Sequence, residues 1–102
     1  MTKTIMLACA GGMSSSLLVT KMTKAAKKEN IDVNIFATNS SAIPQEAKLH
    51  HPSVILLGPQ IKFLFNNIIK EVNVPMEVID MKDYGTMNGE NVLHQALSLM
   101  KN

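Results

Sequence analysis

The sequence of 102 residues contains one cysteine, no tryptophan, and only three Phe and one Tyr as aromatic residues. A lone cysteine excludes an internal disulfide and a thiolate-rich zinc site, so we expect a thiol in a reducing compartment. No apolar run approaches the roughly 18 residues of a membrane span, which predicts a soluble chain without membrane insertion. The net charge of +2 is too small, and the aromatic residues are too few, for a nucleic-acid surface.

The hydrophobic content of 46% is sufficient for one compact domain over residues 1–102. Apolar runs at residues 4–8 and 54–57 are typical of strands buried on both faces, whereas the alternating segments 31–36 and 76–80 are typical of edge strands. Three groups of apolar residues have helical spacing: Leu18, Met22, Ala25 and Ala26; Ile61, Leu64, Phe65, Ile68 and Ile69; Leu93, Ala96, Leu97 and Met100.

Strands that alternate with helices predict an α/β fold, in which a four-stranded parallel sheet of order 2-1-3-4 carries helices on both faces. Residues 41–50 contain Pro44 and have weak periodicity, so we expect a loop with at most a short helix. Pro59 suits the first turn of the second helix, and Asn88 suits the cap of the last. The predicted order puts a ligand crevice at the carboxyl ends of the first and third strands, next to Cys9.

The segment CAGGMSSSLL, residues 9–18, joins the first predicted strand to a helix that should begin near Met13 or Ser14. The backbone N–H groups at the start of a helix lack partners and attract anions. Two glycines let the loop curl into a nest of N–H groups, and three serines offer hydroxyl donors. We therefore expect the loop to bind phosphate through Ala10, Gly11, Gly12, Met13, Ser14, Ser15 and Ser16.

The positive end of a helix also favours the thiolate form of a cysteine, and a thiolate is a nucleophile. Cys9 at the centre of such a nest is suited to accept a phosphoryl group as a thiophosphate ester. A buried core cysteine beside a glycine-rich turn is the structural alternative, and spacing alone leaves both interpretations open. We expect no cofactor and no metal, since His50 and His51 fall at the opposite end of the sheet.

Further segments carry a family resemblance: LLGPQ at 56–60, EVID at 77–80, and Tyr84 followed by glycine. Together with Cys9 and AGGMSSSLL, they resemble the enzyme IIB subunits of the lactose/cellobiose class in the bacterial sugar phosphotransferase system. The resemblance implies a phosphocysteine at Cys9, which receives its phosphoryl group from a phosphohistidine on a IIA partner.

The same resemblance implies delivery of the phosphoryl group to a sugar bound by the membrane subunit IIC. That sugar would be a β-linked disaccharide such as cellobiose, chitobiose or lactose. The chain would then be cytoplasmic and peripherally associated with the inner face of the membrane through IIC. Gln60, Asp83 and Tyr84 are expected around the rim of the site.

A small cysteine-dependent phosphatase or reductase is the main alternative, because low-molecular-weight tyrosine phosphatases resemble this layout. Their C-x5-R loop would require an arginine at residue 15, and this sequence has Ser15. Without a guanidinium to stabilise transition-state charge, transfer to a bound acceptor is favoured over hydrolysis. Asp83 keeps the phosphatase open as a general acid, unless it merely opens a surface turn. A non-catalytic αβ interaction module is the third possibility.

Overall fold

The computed structural model describes residues 2–10 and 12–100, with the backbone alone for residues 12–14. The strands are β1 (Lys3–Cys9), β2 (Val33–Asn39), β3 (Val54–Leu57) and β4 (Met76–Val78). The helices are α1 (Gly12–Lys28), α2 (Ile43–His50), α3 (Phe65–Ile68), α4 (Met81–Gly85) and α5 (Gly89–Leu99). Short 3-10 segments cover Ser40–Ala42 and Pro59–Leu64.

The four strands form one parallel sheet of order β2-β1-β3-β4, which confirms the predicted order and direction. β3 is buried along its whole length, as its unbroken apolar run predicts for a central strand. β2 is only partly buried, as expected of an edge strand with polar residues at alternate positions. The order places the apolar strands β1 and β3 in the centre and puts β2 and β4 at the edges.

The first face of the sheet is covered by α1 and α5. Leu18, Met22 and Ala26 of α1 pack with Leu93 and Ala96 of α5 against the strands, as their helical spacing predicts. Strand residues on this face are Ile5, Leu7, Val54 and Leu56. These two helices touch closely, because Gly89 lies against the backbone of α1 at Lys21 and Met22.

The second face is covered by shorter elements, namely α2, the 3-10 segment Pro59–Leu64 and α3. Ile43, Ile61 and Ile68 are the buried residues that these elements contribute. Strand residues on this face are Met6, Ala8, Ile55, Leu57 and Met76. β1 and β3 therefore supply alternate residues to two separate cores, since successive side chains point to opposite faces of a sheet.

Residues 41–50 were predicted as a loop with at most a short helix, and the structure gives most of that stretch to the eight-residue helix α2. Pro44 lies in the first turn, where its missing N–H would have no helical partner. Ile43 is fully buried in the second core, and Ala47 packs against that core. Packing of these two residues stabilises a helix of eight residues whose weak periodicity gave little indication of it.

Several predicted boundaries also differ. β2 spans Val33–Asn39 rather than 31–36, because the N–H of Ile31 still bonds to the Ala26 carbonyl at 2.8 Å in the turn after α1. The helix predicted across residues 61–69 is divided, with Ile61 at a non-helical φ of −116° and ψ of 22°. The predicted positions of Pro59 in a first turn and Asn88 as a cap are confirmed.

β4 ends at Val78 rather than at residue 80, because Asp80 already caps α4. The Asp80 Oδ1 atom accepts from the N–H groups of Lys82 and Asp83 at 2.9 and 3.2 Å. Sequence analysis missed this short helix, although an aspartate before a polar turn is a recognisable N-cap signal.

Candidate functional site

Cys9 is the last residue of β1 and lies at the carboxyl edge of the sheet, between the ends of β2 and β3. Strand alternation directs its side chain to the first face, as it does for Ile5 and Leu7. The residue is 3% exposed, and the sheet register pairs it with Asn39 of β2. The predicted strand order assigned the crevice to this same edge.

α1 begins directly after the loop that follows Cys9. Its first residue is Gly12, one or two residues earlier than the predicted start at Met13 or Ser14. No acidic side chain lies in the first turn, and Lys27 and Lys28 lie in the last, so the 17-residue helix keeps an unopposed positive end toward Cys9. Gly11 lies outside the described residues, as do the side chains of Met13 and Ser14.

Ser15 belongs to the predicted phosphate-binding loop and contacts the cysteine directly. Its Oγ atom lies 3.0 Å from the Cys9 Sγ atom, and the residue is 2% exposed. The thiol donates to this hydroxyl oxygen, and the hydroxyl is equally able to donate to a thiolate. The C-x5-R spacing of a phosphatase would put its arginine at this buried position, where a guanidinium would have to displace packed neighbours.

A cleft of about 330 Å³ opens beside the sulfur. Cys9, Ala10, Ser15 and Ser16 line one side, which brings four of the predicted site residues together. The end of β2 forms the other side with Ala37, Thr38 and Asn39, which sequence analysis missed. The segment 31–36 was predicted to end before them, and the pairing of Asn39 with Cys9 depends on a register that the sequence does not display. All described lining residues are uncharged.

Gly58 brings the end of β3 against the other flank of Cys9. Its N–H donates to the Ala8 carbonyl at 2.8 Å. A Cβ atom at Gly58 would lie 3.3 Å from the Cys9 Cβ and 3.1 Å from the Gln60 Oε1 atom. The absence of a side chain at Gly58 therefore permits close packing against Cys9 and Gln60. The predicted rim residue Gln60 and the cysteine thus contact the same glycine.

The other two predicted rim residues, Tyr84 and Asp83, do not line the cleft at Cys9. Tyr84 is 6% exposed and belongs to the core of the first face, with part of its surface in a separate cavity of about 290 Å³. That cavity is also lined by Pro59, Gln60, Met81 and Gly85. The Asp83 Oδ1 atom accepts from the Asn91 Nδ2 group at 3.0 Å, and Asp83 does not line the cleft at Cys9.

The histidines lie away from the cleft. His50 ends α2 and His51 precedes β3, so both lie toward the amino edge of the sheet, as predicted. The His94 Nε2 atom lies 2.9 and 3.0 Å from the two carboxylate oxygens of Glu29. This hydrogen bond raises the pKa of His94, desolvation opposes it, and the negative charges of Glu29 and Glu90 raise it further.

Two further features of the molecule concern the lysines of α1 and the candidate metal ligands. Lys21, Lys24, Lys27 and Lys28 are exposed along α1, as a solvated helix face predicts. Within residues 2–10 and 12–100, no three side chains of His, Cys, Asp or Glu form a group suited to a metal ion. The same residues include no helix long and apolar enough to cross a membrane.

Comparison with known proteins identifies similarity over nearly the whole chain. A family model described as "PTS system, Lactose/Cellobiose specific IIB subunit" matches residues 4–95. The chain is 46% identical over 104 aligned positions to the galactose-specific EIIB component of Lactococcus lactis subsp. cremoris, with 96% of each chain covered. It is equally similar, at 46% identity and 96% coverage of both chains, to the cellobiose-specific EIIB component of Lactococcus lactis subsp. lactis.

A solved structure agrees with the sequence similarity. The solution structure of the cellobiose-specific phosphotransferase IIB component from Borrelia burgdorferi superposes with a TM-score of 0.82 at 35% identity. The alignment covers 100% of this chain and 94% of that one. The parallel sheet and its helices are thus shared with a protein of related sequence.

Proposed function

The chain belongs to the lactose/cellobiose-specific IIB family of the bacterial sugar phosphotransferase system, and on that premise we propose that Cys9 is its phosphoryl carrier. EIIB components are phosphotransferases of sugar transport. The observation that carries the proposal is the Cys9 Sγ atom, which borders an uncharged cleft at the positive end of α1 and contacts a buried serine hydroxyl.

The reaction has two steps, each with its own partner. In the first, the Cys9 sulfur attacks the phosphorus of a phosphohistidine on a IIA protein. The S–P bond forms, the P–N bond breaks, and the thiol proton ends on the imidazole nitrogen. In the second, a hydroxyl oxygen of a sugar held by a membrane IIC subunit attacks the same phosphorus. The O–P bond forms, the S–P bond breaks, and the hydroxyl proton ends on the Cys9 sulfur.

Neutral donors hold the intermediate in this proposal. A phosphoryl group brings about −1.5 to −2 charges at pH 7 and three acceptor oxygens. The helix end contributes about 0.3–2 kcal/mol toward an anion, and the backbone N–H groups of the loop from Ala10 to Ser16 supply hydrogen bonds. Ser15 contacts the sulfur, so its hydroxyl supports the thiolate when that sulfur is the leaving group.

Two features support transfer over hydrolysis. Ser15 stands where a phosphatase of the C-x5-R type has its arginine, so the mobile cationic clamp on the transition state is missing. The carboxylate of Asp83, the residue considered as general acid, accepts a hydrogen bond from Asn91 outside the cleft. The phosphocysteine is therefore expected to react slowly with water and to persist until an acceptor binds.

The acceptor sugar is assigned by class. The relatives carry galactose-specific and cellobiose-specific names, and for this chain we propose a β-linked disaccharide such as cellobiose, chitobiose or lactose. The sugar sits in IIC in this scheme. The chain works at the cytoplasmic face of the membrane, where it associates peripherally through that subunit.

The direct test is labelling with a [32P]-phosphorylated IIA protein of the lactose/cellobiose class, followed by peptide mapping. One label per chain is expected, on the peptide that contains Cys9. Cys9→Ser should take up none, and the control His51→Gln, at the opposite edge of the sheet, should be labelled like wild type. Label on His50, His51 or His94, or label retained by Cys9→Ser, would contradict the proposal.

A further inference from the structure

Asn39 shares the cleft with Cys9 from the neighbouring strand. It ends β2, and the parallel register sets it directly beside Cys9. Adjacent strands lie about 4.7–4.9 Å apart, and residues paired across parallel strands point to the same face. Ala37, two residues earlier, also packs on the first face. Asn39 therefore faces the side on which the sulfur and α1 lie, and it lines the cleft.

The carboxamide of Asn39 is held in one orientation. Its Oδ1 atom accepts from the Ser41 hydroxyl at 2.7 Å and from the Ala42 N–H at 3.1 Å. A backbone N–H is only a donor, so the atom facing it must be the oxygen. These two bonds use both lone pairs of Oδ1 and leave the NH2 group as the other polar end. Among the described residues no acceptor is bonded to that NH2 group.

A phosphoryl group on Cys9 presents the acceptors that this NH2 group lacks. The described lining of the cleft has no cationic side chain, so anion binding depends on neutral donors. Resting on the proposed function of Cys9, we propose that the Nδ2 group of Asn39 donates a hydrogen bond to an oxygen of the phosphocysteine. Asn39 is then a phosphate-binding residue on the β2 side, opposite the loop that opens α1.

Ser15 and Asn39 have separate effects in this arrangement. Ser15 contacts the sulfur, which is present in both states of the carrier. Asn39 meets only the phosphoryl oxygens, so its hydrogen bond stabilises the phosphorylated state alone. Loss of the Asn39 donor should therefore shift the phosphoryl equilibrium with the IIA donor toward IIA.

Asn39 also caps the 3-10 segment Ser40–Ala42, and two substitutions remove its amide donor while they keep a capping oxygen. Asn39→Asp has the same shape, retains an oxygen for Ser41 and Ala42, and turns the NH2 group into an oxygen that repels phosphate. Asn39→Ser keeps a good capping hydroxyl without an amide. The matched control is Asn88→Asp, since Asn88 also caps a helix, with its Oδ1 3.0 Å from the Asn91 N, and does not line the cleft.

The measurement is the equilibrium fraction of labelled Cys9 at a fixed ratio of [32P]-phospho-IIA to IIA, with thermal unfolding of each variant recorded in parallel. We expect the phosphorylation equilibrium constant to fall about tenfold in Asn39→Ser and further in Asn39→Asp. Asn88→Asp should stay within about twofold of wild type, and all three unfolding midpoints should stay close to it.

The outcomes separate the two proposals. If Asn39→Asp is phosphorylated as fully as Asn88→Asp, the role of Asn39 is overturned while that of Cys9 stands. If Cys9 of the wild type takes no label, the proposed function fails first, and the inference that rests on it fails with it. A loss confined to the Asn39 variants, without a change in unfolding, supports the inference.

Discussion

The two faces of the sheet are built differently. The first face is covered by regular helices of 17 and 11 residues, which touch through Gly89. The second is covered by α2, a bent 3-10 segment and α3, which are 8, 6 and 4 residues long. Apolar side chains remain exposed on these elements, and Phe63 is 76% exposed.

The candidate site lies at the edge of the face that the longer helices cover. Cys9, Ser15 and Asn39 all belong to the side covered by α1, whose start is held by the long helix behind it. A site for a small anion requires donors fixed within fractions of an ångström, and rigid elements fix them better than loops do. Among the described residues, Gly58 brings the end of β3 against Cys9, at the point where the chain leaves that strand.

Truncation of one core residue on each face should give the largest change in stability. Leu18 of α1 and Ile68 of α3 are both buried. Large-to-alanine substitutions in cores cost about 2–5 kcal/mol, and the cost is lower where the surroundings collapse into the cavity. We expect Leu18→Ala near the upper end and Ile68→Ala near the lower end, measured as the free energy of unfolding in urea.

Equal costs for Leu18→Ala and Ile68→Ala would show that the two faces are equally rigid. The contrast drawn from helix length would then be wrong. Cys9 labelling of Ile68→Ala at a temperature where it is folded should stay near the wild-type level, because α3 does not line the cleft.

Separation of the helices on the first face should have the next largest effect. A Cβ atom at Gly89 would lie 2.6 Å from the Lys21 carbonyl carbon and 2.7 Å from the Met22 nitrogen. These are backbone atoms of α1, so one helix must move, and overpacking of this kind costs about 1–3 kcal/mol. Gly85→Ala is the control, because no atom beyond its own stretch of chain lies within 4 Å of its Cβ position. Urea unfolding should show a loss for Gly89→Ala only.

The difference between the faces also explains which helices could be predicted from the sequence and which could not. Leu18, Met22 and Ala26 repeat over a long helix, so the pattern predicted α1 correctly. The apolar residues of α2 are few, and Ile43 and Ala47 form a helix because the second core packs against them. Tertiary packing that a short segment does not encode explains why the sequence indicated mainly a loop where the structure has a short helix.

In the candidate site, too, some residues could be predicted from local sequence patterns and others could not. The glycines and serines after Cys9 carry local signals for a helix start and an anion, which a single sequence displays. Asn39 joins Cys9 only through the pairing of two strands separated by 30 positions in the sequence, together with the end point of β2. Register and strand ends are set by the whole sheet, so no local pattern indicated that residue.

A change at the contact between Gly58 and Cys9 should reduce transfer with little loss of stability. In Gly58→Ala the new Cβ would press on the Cys9 Cβ at 3.3 Å and the Gln60 Oε1 at 3.1 Å. A shift of a few tenths of an ångström at the nucleophile should slow phosphoryl uptake about tenfold. Initial rates of [32P] transfer from phospho-IIA measure this, with Gly85→Ala as control. A wild-type rate would mean that Cys9 tolerates the displacement.

The smallest effect is expected at the far end of the first face, where His94 of α5 meets Glu29 after α1. The hydrogen bond with Glu29 raises the pKa of His94 above 6.5 in the folded state. The folded chain therefore binds the proton more tightly, and the pair stabilises it fully below about pH 6.5. That stabilisation is lost as the pH rises through the raised pKa.

Both side chains are partly exposed, so solvent screening limits the contribution of the pair to about 0.2–1 kcal/mol. His94→Gln should lower the free energy of unfolding in urea at pH 5.5 and leave it almost unchanged at pH 8.5. Glu29→Gln should remove the same pH-dependent part, because the raised pKa of His94 depends on that carboxylate. If His94→Gln costs the same at both pH values, α1 and α5 are joined at this end by packing alone.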